Sequence, residues 1–140
     1  MDFGGNFIPQ EHIIFETQYT AVFPNISPFL PYHMLVVPKR SVMLLSELTE
    51  EEVTDMFLTI QMITRNLKNI CDGFTVNIQD GECAGQTVFH IHAHVVPRKN
   101  NDLKVNNEIY KEGSLSFKRK RISNEEMISI TNYLKKYITK

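Results

Sequence analysis

The sequence predicts an α+β domain: a mainly antiparallel sheet of about five strands with two helices. Three observations lead there. Short β-branched and aromatic runs fill the first third of the chain. Two later segments carry apolar residues at three- and four-residue spacing, each starting at a capping motif. Between them, "TVFHIHAHVVP" alternates strictly, as a strand does. At 140 residues the chain reads as one domain over 1–140. A chain of this size buries roughly two-thirds of its unfolded surface, so it folds without a metal or disulfide staple.

Taken in order, "IIFET", "YTAVF" and "HMLVVPK" read as strands. "PNISPFLP" separates the last two, and Pro24, Pro28 and Pro31 forbid a long helix there. A helix follows. Thr49 and Glu52 form a capping box, and Val53, Met56, Phe57, Ile60, Ile63, Leu67 and Ile70 make its apolar stripe. Gly73 is the expected stop. "FTVNIQ" is a half-buried strand, "DGECAGQ" a glycine-bearing loop, and "TVFHIHAHVVP" a longer strand stopped by Pro97. The segment from Lys99 to about Ile122 is polar and reads as mobile. The last helix starts near Ser123, with Glu126 three residues on, and places Met127, Ile130, Leu134 and Ile138 on one face.

Several function classes are disfavoured. A net charge of -1 argues against non-specific binding to nucleic acid or membrane. Cys71 and Cys83 show no ligand or framework spacing, so both are expected as free thiols in a reducing, cytoplasmic setting. The first residues lack a basic start followed by a long apolar run, and no stretch approaches the ~20 apolar residues of a membrane span.

The chemistry sits at His90, His92 and His94. On a strand these share one face at about 6–7 Å spacing, with Phe89, Ile91, Ala93 and Val95 turned into a core. A single strand histidine is commonly structural; three in register ask for more. One reading is a zinc site using two of them and His33. Another is nucleophilic catalysis. Neutral imidazole, with a pKa of about 6.5, attacks phosphorus near pH 7, while neighbouring rings donate hydrogen bonds or protons to developing charge. The preceding "QDGECAGQTV" suits the second reading, since its glycines let backbone amides approach phosphate oxygens.

At these residues the chain resembles the histidine triad (HIT) superfamily of nucleotide hydrolases and transferases. "HIHAHVV" fits its His-φ-His-φ-His-φ-φ signature, φ being apolar. "DGECAGQTVFHIHAHVVPR", "PNISPFLPYHMLVVPKR", "NNEIYK" and "SNEEM" look most like the fragile-histidine-triad branch, so the resemblance runs along nearly the whole chain. It implies a HIT-like fold, a homodimer, and hydrolysis of dinucleoside polyphosphates such as diadenosine triphosphate or tetraphosphate at the α-phosphorus. His92 would become a covalent nucleotidyl-histidine. His94 would hydrogen-bond the phosphate, and His90 would fix the His92 tautomer through its carbonyl. His33 would support the triad from the adjacent strand. Gln86 would contact the bridging oxygen or a phosphate oxygen, with Thr87, Val88 and Gly85 beside it. Asn25 and Gln79 match positions touching the ribose and phosphate region of a purine nucleotide. Asn6 stands where branch members tend to carry a histidine near the base. Mg2+ or Mn2+ would accompany the substrate, with no protein ligands of its own.

The alternatives are a nucleoside phosphoramidase or other HIT transferase, a nucleotide-binding signalling module, and the zinc protein. The tail lacks the "W-P-P-G"-like ending of the phosphoramidase branch. "KRKR" (Lys118 to Arg121) reads by default as a solvated cluster, with a polyphosphate contact as its functional alternative. Tyr110 reads as a loop tyrosine that a substrate or modifying enzyme can reach, and His12 as a strand-start residue without a role.

Overall fold

A computed structural model describes residues 1–111 and 119–139. Lys118 and the Tyr110 side chain, both noted above, lie outside the described residues, as do residues 112–117 of the segment expected to be mobile. The chain opens with a tight hairpin, β1 (Asp2–Phe3) and β2 (Asn6–Phe7), that periodicity does not reveal. Its two-residue turn needs positive φ at both positions, and Gly4 and Gly5 supply it at 55° and 87°. The main sheet then forms from β3 (Phe15–Glu16), β4 (Thr20–Pro24), β5 (Met34–Pro38), β6 (Gly73–Ile78) and β7 (Ala93–Arg98). It is five-stranded and antiparallel, in the order β3-β4-β5-β7-β6. The expected α+β class and strand number hold.

Helix α1 (Glu50–Asn66) starts at the expected box. Thr49 Oγ1 accepts the Glu52 N–H at 3.1 Å, and the Glu52 carboxylate accepts the Thr49 N–H at 2.9 Å. Arg40 also grips that carboxylate at 2.8 Å and, with the Thr49 contacts, holds its pKa down to about 2. The helix ends earlier than its apolar spacing suggests. Gly73 is not its stop, because it pairs with Arg98 and opens β6. Helix α2 (Asn124–Ile138) begins where expected, with Ser123 Oγ accepting the Glu126 N–H at 3.1 Å.

The sheet has two buried faces. Val22, Met34, Val36, Ala93 and Val95 pack against Met56, Ile60 and Ile63 of α1 and Leu134 and Ile138 of α2. The opposite face of the same strands carries Ala21, Phe23, Leu35 and Val37, covered by Phe3 and Ile8 of the hairpin. Period-two alternation therefore sorts residues between two cores rather than between core and solvent. His94 pairs with Leu35 on one side and Asn77 on the other, which places it on the hairpin-covered face.

The expected strand 87–97 is corrected: β7 begins only at Ala93 and runs through Pro97 to Arg98. The cause lies in its neighbour. Pro38 has no N–H to extend the ladder, and its carbonyl accepts the His90 ring N–H at 2.7 Å instead. Ile91 gives its own N–H to Val42 at 2.8 Å. Thus His90 and His92 sit on an arch leading into the sheet, and only His94 is a strand residue. Phe89, expected inward, is 52% exposed for the same reason.

Candidate active site

The three triad side chains are buried, with His90 at 0%, His94 at 1% and His92 at 5% exposure. They are not evenly spaced along one flat face. His92 and His94 lie edge to face with centroids 4.9 Å apart. His90 turns away to Pro38. Phe3 closes over both arch histidines, 5.1 Å from the His92 ring and 5.2 Å from that of His90.

Hydrogen bonding fixes which nitrogen of each ring carries its proton. His92 Nδ1 is 2.7 Å from the His90 carbonyl, which only accepts, so Nδ1 is the protonated nitrogen. The lone pair of the neutral ring is therefore on Nε2. A second chain runs through His33. The Phe29 N–H donates to His33 Nδ1 at 3.0 Å, which leaves the His33 proton on Nε2. That Nε2 faces His94 Nδ1 at 3.0 Å, so His94 accepts there and carries its own proton on Nε2. His94 Nε2 is buried and has no partner among the described residues. An unanswered buried N–H beside a ring with a free lone pair is an arrangement for an incoming oxygen.

The rings are held neutral. Burial is the main cause in each case. It pulls His92 to about 4 against the opposing His90 carbonyl. His33 drops to about 3, with the Arg119 charge and His92 contributing. His94 falls well below its ordinary value, aided by His92, His33 and Arg119. His90 is lowered as well, although the Pro38 carbonyl works the other way. At pH 7 the His92 ring is thus neutral, with its lone pair on Nε2.

The flanking residues divide by role. Gln86 is placed as a clasp within its loop. Its oxygen accepts the Gly81 N–H at 2.8 Å, and its amide nitrogen donates to Met43 at 2.9 Å and Val88 at 3.1 Å. Both amide protons are engaged, so a contact from Gln86 to substrate would require it to exchange one of these bonds. Gln79, at the end of β6, lies against Gly85, where a Cβ would sit 2.6 Å from its amide nitrogen. Thr87 and Gly85 are exposed, while Val88 packs under the hairpin with Phe3. Asn25 is buried, accepts the Ser27 N–H at 2.8 Å, and stands 3.5 Å from His33 Nε2. Asn6 donates to the Phe3 carbonyl at 3.2 Å and lines a cavity of about 360 Å3 with Ile8, Phe23, Pro24, Arg121 and Met127.

Arg119 is the residue that charge patterning undervalued. Lys120 and Arg121 are exposed, but Arg119 turns inward. It donates to the Ser27 carbonyl at 2.5 Å and lies 5.2 Å over the Phe29 ring. Its membership of "KRKR" was the only signal. The zinc alternative finds no support in the donor geometry. Among the described residues no three His, Cys, Asp or Glu side chains gather to hold a metal ion, and His33 and His94 face each other. Cys71 and Cys83 are free. His12, expected to have no role, bonds Asn124 at 2.8 Å and ties the start of α2 to the N-terminal segment.

A two-helix domain on a five-stranded sheet, with a tautomer-fixed histidine pair where the chain enters β7, is a histidine-triad domain. Residues 8–101 match the HIT domain family model, and the chain belongs to that family. It is 43% identical over 127 residues to a bis(5'-adenosyl)-triphosphatase of Dictyostelium discoideum, covering 89% of this chain and 84% of that protein. It is 38% identical to an asymmetrical bis(5'-nucleosyl)-tetraphosphatase of Schizosaccharomyces pombe, covering 71% of this chain but 56% of that protein. The crystal structure of Plasmodium falciparum diadenosine triphosphate hydrolase in complex with cyclomarin A superposes with a TM-score of 0.82 at 31% identity, covering 99% of this chain and 83% of that one.

Proposed function

We propose that this chain hydrolyses dinucleoside polyphosphates, diadenosine triphosphate and tetraphosphate among them, at the α-phosphorus. One observation carries the mechanism: His92 Nδ1–H is held by the His90 carbonyl, which leaves Nε2 bare beside the unpaired N–H of His94. His92 Nε2 attacks the α-phosphorus. The P–O bond to the rest of the chain breaks, and its electron pair leaves with the departing nucleotide. His94 Nε2–H donates to a nonbridging oxygen as charge grows. Water then attacks the same phosphorus, the N–P bond breaks, and the nucleoside monophosphate leaves with His92 restored.

In this reading Gln79 reaches the phosphate region and Gln86 contacts the bridging or a phosphate oxygen on exchanging one of its bonds to Met43 or Val88, with Thr87 and the Gly85 backbone beside them. The purine enters the cavity beside the hairpin, where Phe3 links Phe23 to the His92 ring. Asn25 holds the ribose end. A divalent cation such as Mg2+ or Mn2+, carried by the polyphosphate rather than held by residues of this chain, would offset its charge. A second copy completes a homodimer; the outer strand β6, with Val76 42% exposed, and α1, with Phe57 and Leu58 at 45% and 59%, leave apolar surface for it. Among the described residues no helix is long and apolar enough to cross a membrane. Free thiols agree with a cytoplasmic location.

The test is incubation with diadenosine triphosphate, diadenosine tetraphosphate and an adenosine phosphoramidate, with acid-labile adducts trapped on His92. Turnover of a polyphosphate and an adduct absent from His92→Ala is the expected result. His92→Ala loses several orders of magnitude in kcat while still binding nucleotide. Wild-type turnover in that variant removes His92 from the role.

A further inference from the structure

Leu30, Pro31, Tyr32 and His33 form a tight turn closed by the His33 N–H on the Leu30 carbonyl at 3.2 Å. Pro31 occupies the second position, where its fixed φ suits the turn. The third position has φ 67°, a left-handed conformation that favours glycine, yet it holds Tyr32. A strained aromatic residue directly before a site histidine needs a compensating contact. Tyr32 has one: its ring stacks on Tyr133 of α2, centroids 5.1 Å apart and planes 18° from parallel. Tyr133 in turn packs on Tyr137 at 5.4 Å. The stack and the backbone penalty are of comparable size, so losing the stack leaves the turn free to relax. Relaxation would carry His33 with it, and His33 is held by Phe29 one side and His94 the other.

We propose that Tyr32 and Tyr133 are positioning residues: their stack, reaching from α2, holds the strained turn that aims His33 at His94. The catalytic part of this rests on the hydrolytic reading above, whereas the geometric part does not. The decisive comparison is among Tyr133→Ala, Tyr133→Phe, Tyr32→Gly and the double variant Tyr32→Gly/Tyr133→Ala. Tyr133→Ala lowers kcat about tenfold with KM little changed, while Tyr133→Phe, which keeps the stack and loses only its hydroxyl bonds to Tyr32 and Tyr137, stays within about twofold of wild type. Tyr32→Gly relieves the strain and needs no stack, so the double variant recovers the lost kcat. The 15N resonances of the His33 ring follow the same order without substrate: one tautomer in wild type, a mixture in Tyr133→Ala, one again in the double variant. This readout separates failure of the positioning idea from failure of the activity. Unchanged His33 resonances and kcat in folded Tyr133→Ala overturn the proposal. So does a double variant no better than Tyr133→Ala.

Discussion

His33 and His94 meet with Nε2 and Nδ1 3.0 Å apart, one just before β5 and the other within its partner strand β7. Because Phe29 occupies the far side of His33, this contact has one direction, and it leaves the His94 proton on Nε2. Replacing His33 by Phe keeps the bulk and removes the donor. His94 is then expected as two tautomers by ring 15N resonance, and kcat falls by on the order of 10²-fold. A single unchanged His94 tautomer in that variant contradicts the relay.

Stability should depend on acid in a definite sense. His92 and His33 ionise in the folded chain only near 4 and 3, against an ordinary 6.5. Their folded-state values are depressed, so below pH 6.5 the unfolded chain binds protons that the folded chain refuses. Each then lowers the unfolding free energy by about 1.4 kcal/mol per pH unit as pH falls toward 4, and adds nothing above 6.5. Denaturant titrations from pH 8 to 4 measure this. His92→Phe should flatten the slope, and an unflattened slope would count against burial of the neutral ring.

The two glutamines separate by measurement. Gln86→Ala strips partners from the Gly81 N–H and the Met43 and Val88 carbonyls, and costs about 2 kcal/mol of stability. Gln79→Ala is expected to leave Tm within about a degree and to lower kcat/KM. Thermal melts and steady-state kinetics on both variants decide it, and a loss of kcat/KM confined to Gln86→Ala would assign the phosphate contact to Gln86 alone.

Gly4 is the tightest point of the hairpin. Its φ is 55°, and a Cβ there would lie 2.4 Å from Val88 Cγ1. Gly4→Ala should therefore cost about 2 kcal/mol and lift the hairpin from the arch. Hydrogen exchange at Ile8, whose N–H bonds the Met1 carbonyl at 2.8 Å, would quicken. Gly5→Ala meets nothing within 4 Å, and its milder loss isolates the backbone strain at its own φ of 87°.

Much of this was legible in the sequence, and the gaps have physical causes. Thr49 with Glu52, and Ser123 with Glu126, announce helix starts because capping is local chemistry. His92 and His94 declare the site because alternation and imidazole are both visible in the letters. The arch before β7 was hidden, since it depends on Pro38, some fifty residues away in sequence, having no N–H to offer. Gln86 and Gln79 look alike in sequence, and only the Met43 and Val88 carbonyls distinguish them. Arg119 hid in a run of like charges, and Tyr32 in a loop whose φ no letter reports.

The group that settles which nitrogen of His92 carries the proton is a main-chain oxygen, that of residue 90. Every amino acid carries that oxygen. The His90 ring acts on that tautomer only indirectly, by tying the arch to the Pro38 carbonyl and so fixing where its own carbonyl points. The orientation of the His92 ring is thus written in the path of the main chain from residue 90 to residue 92.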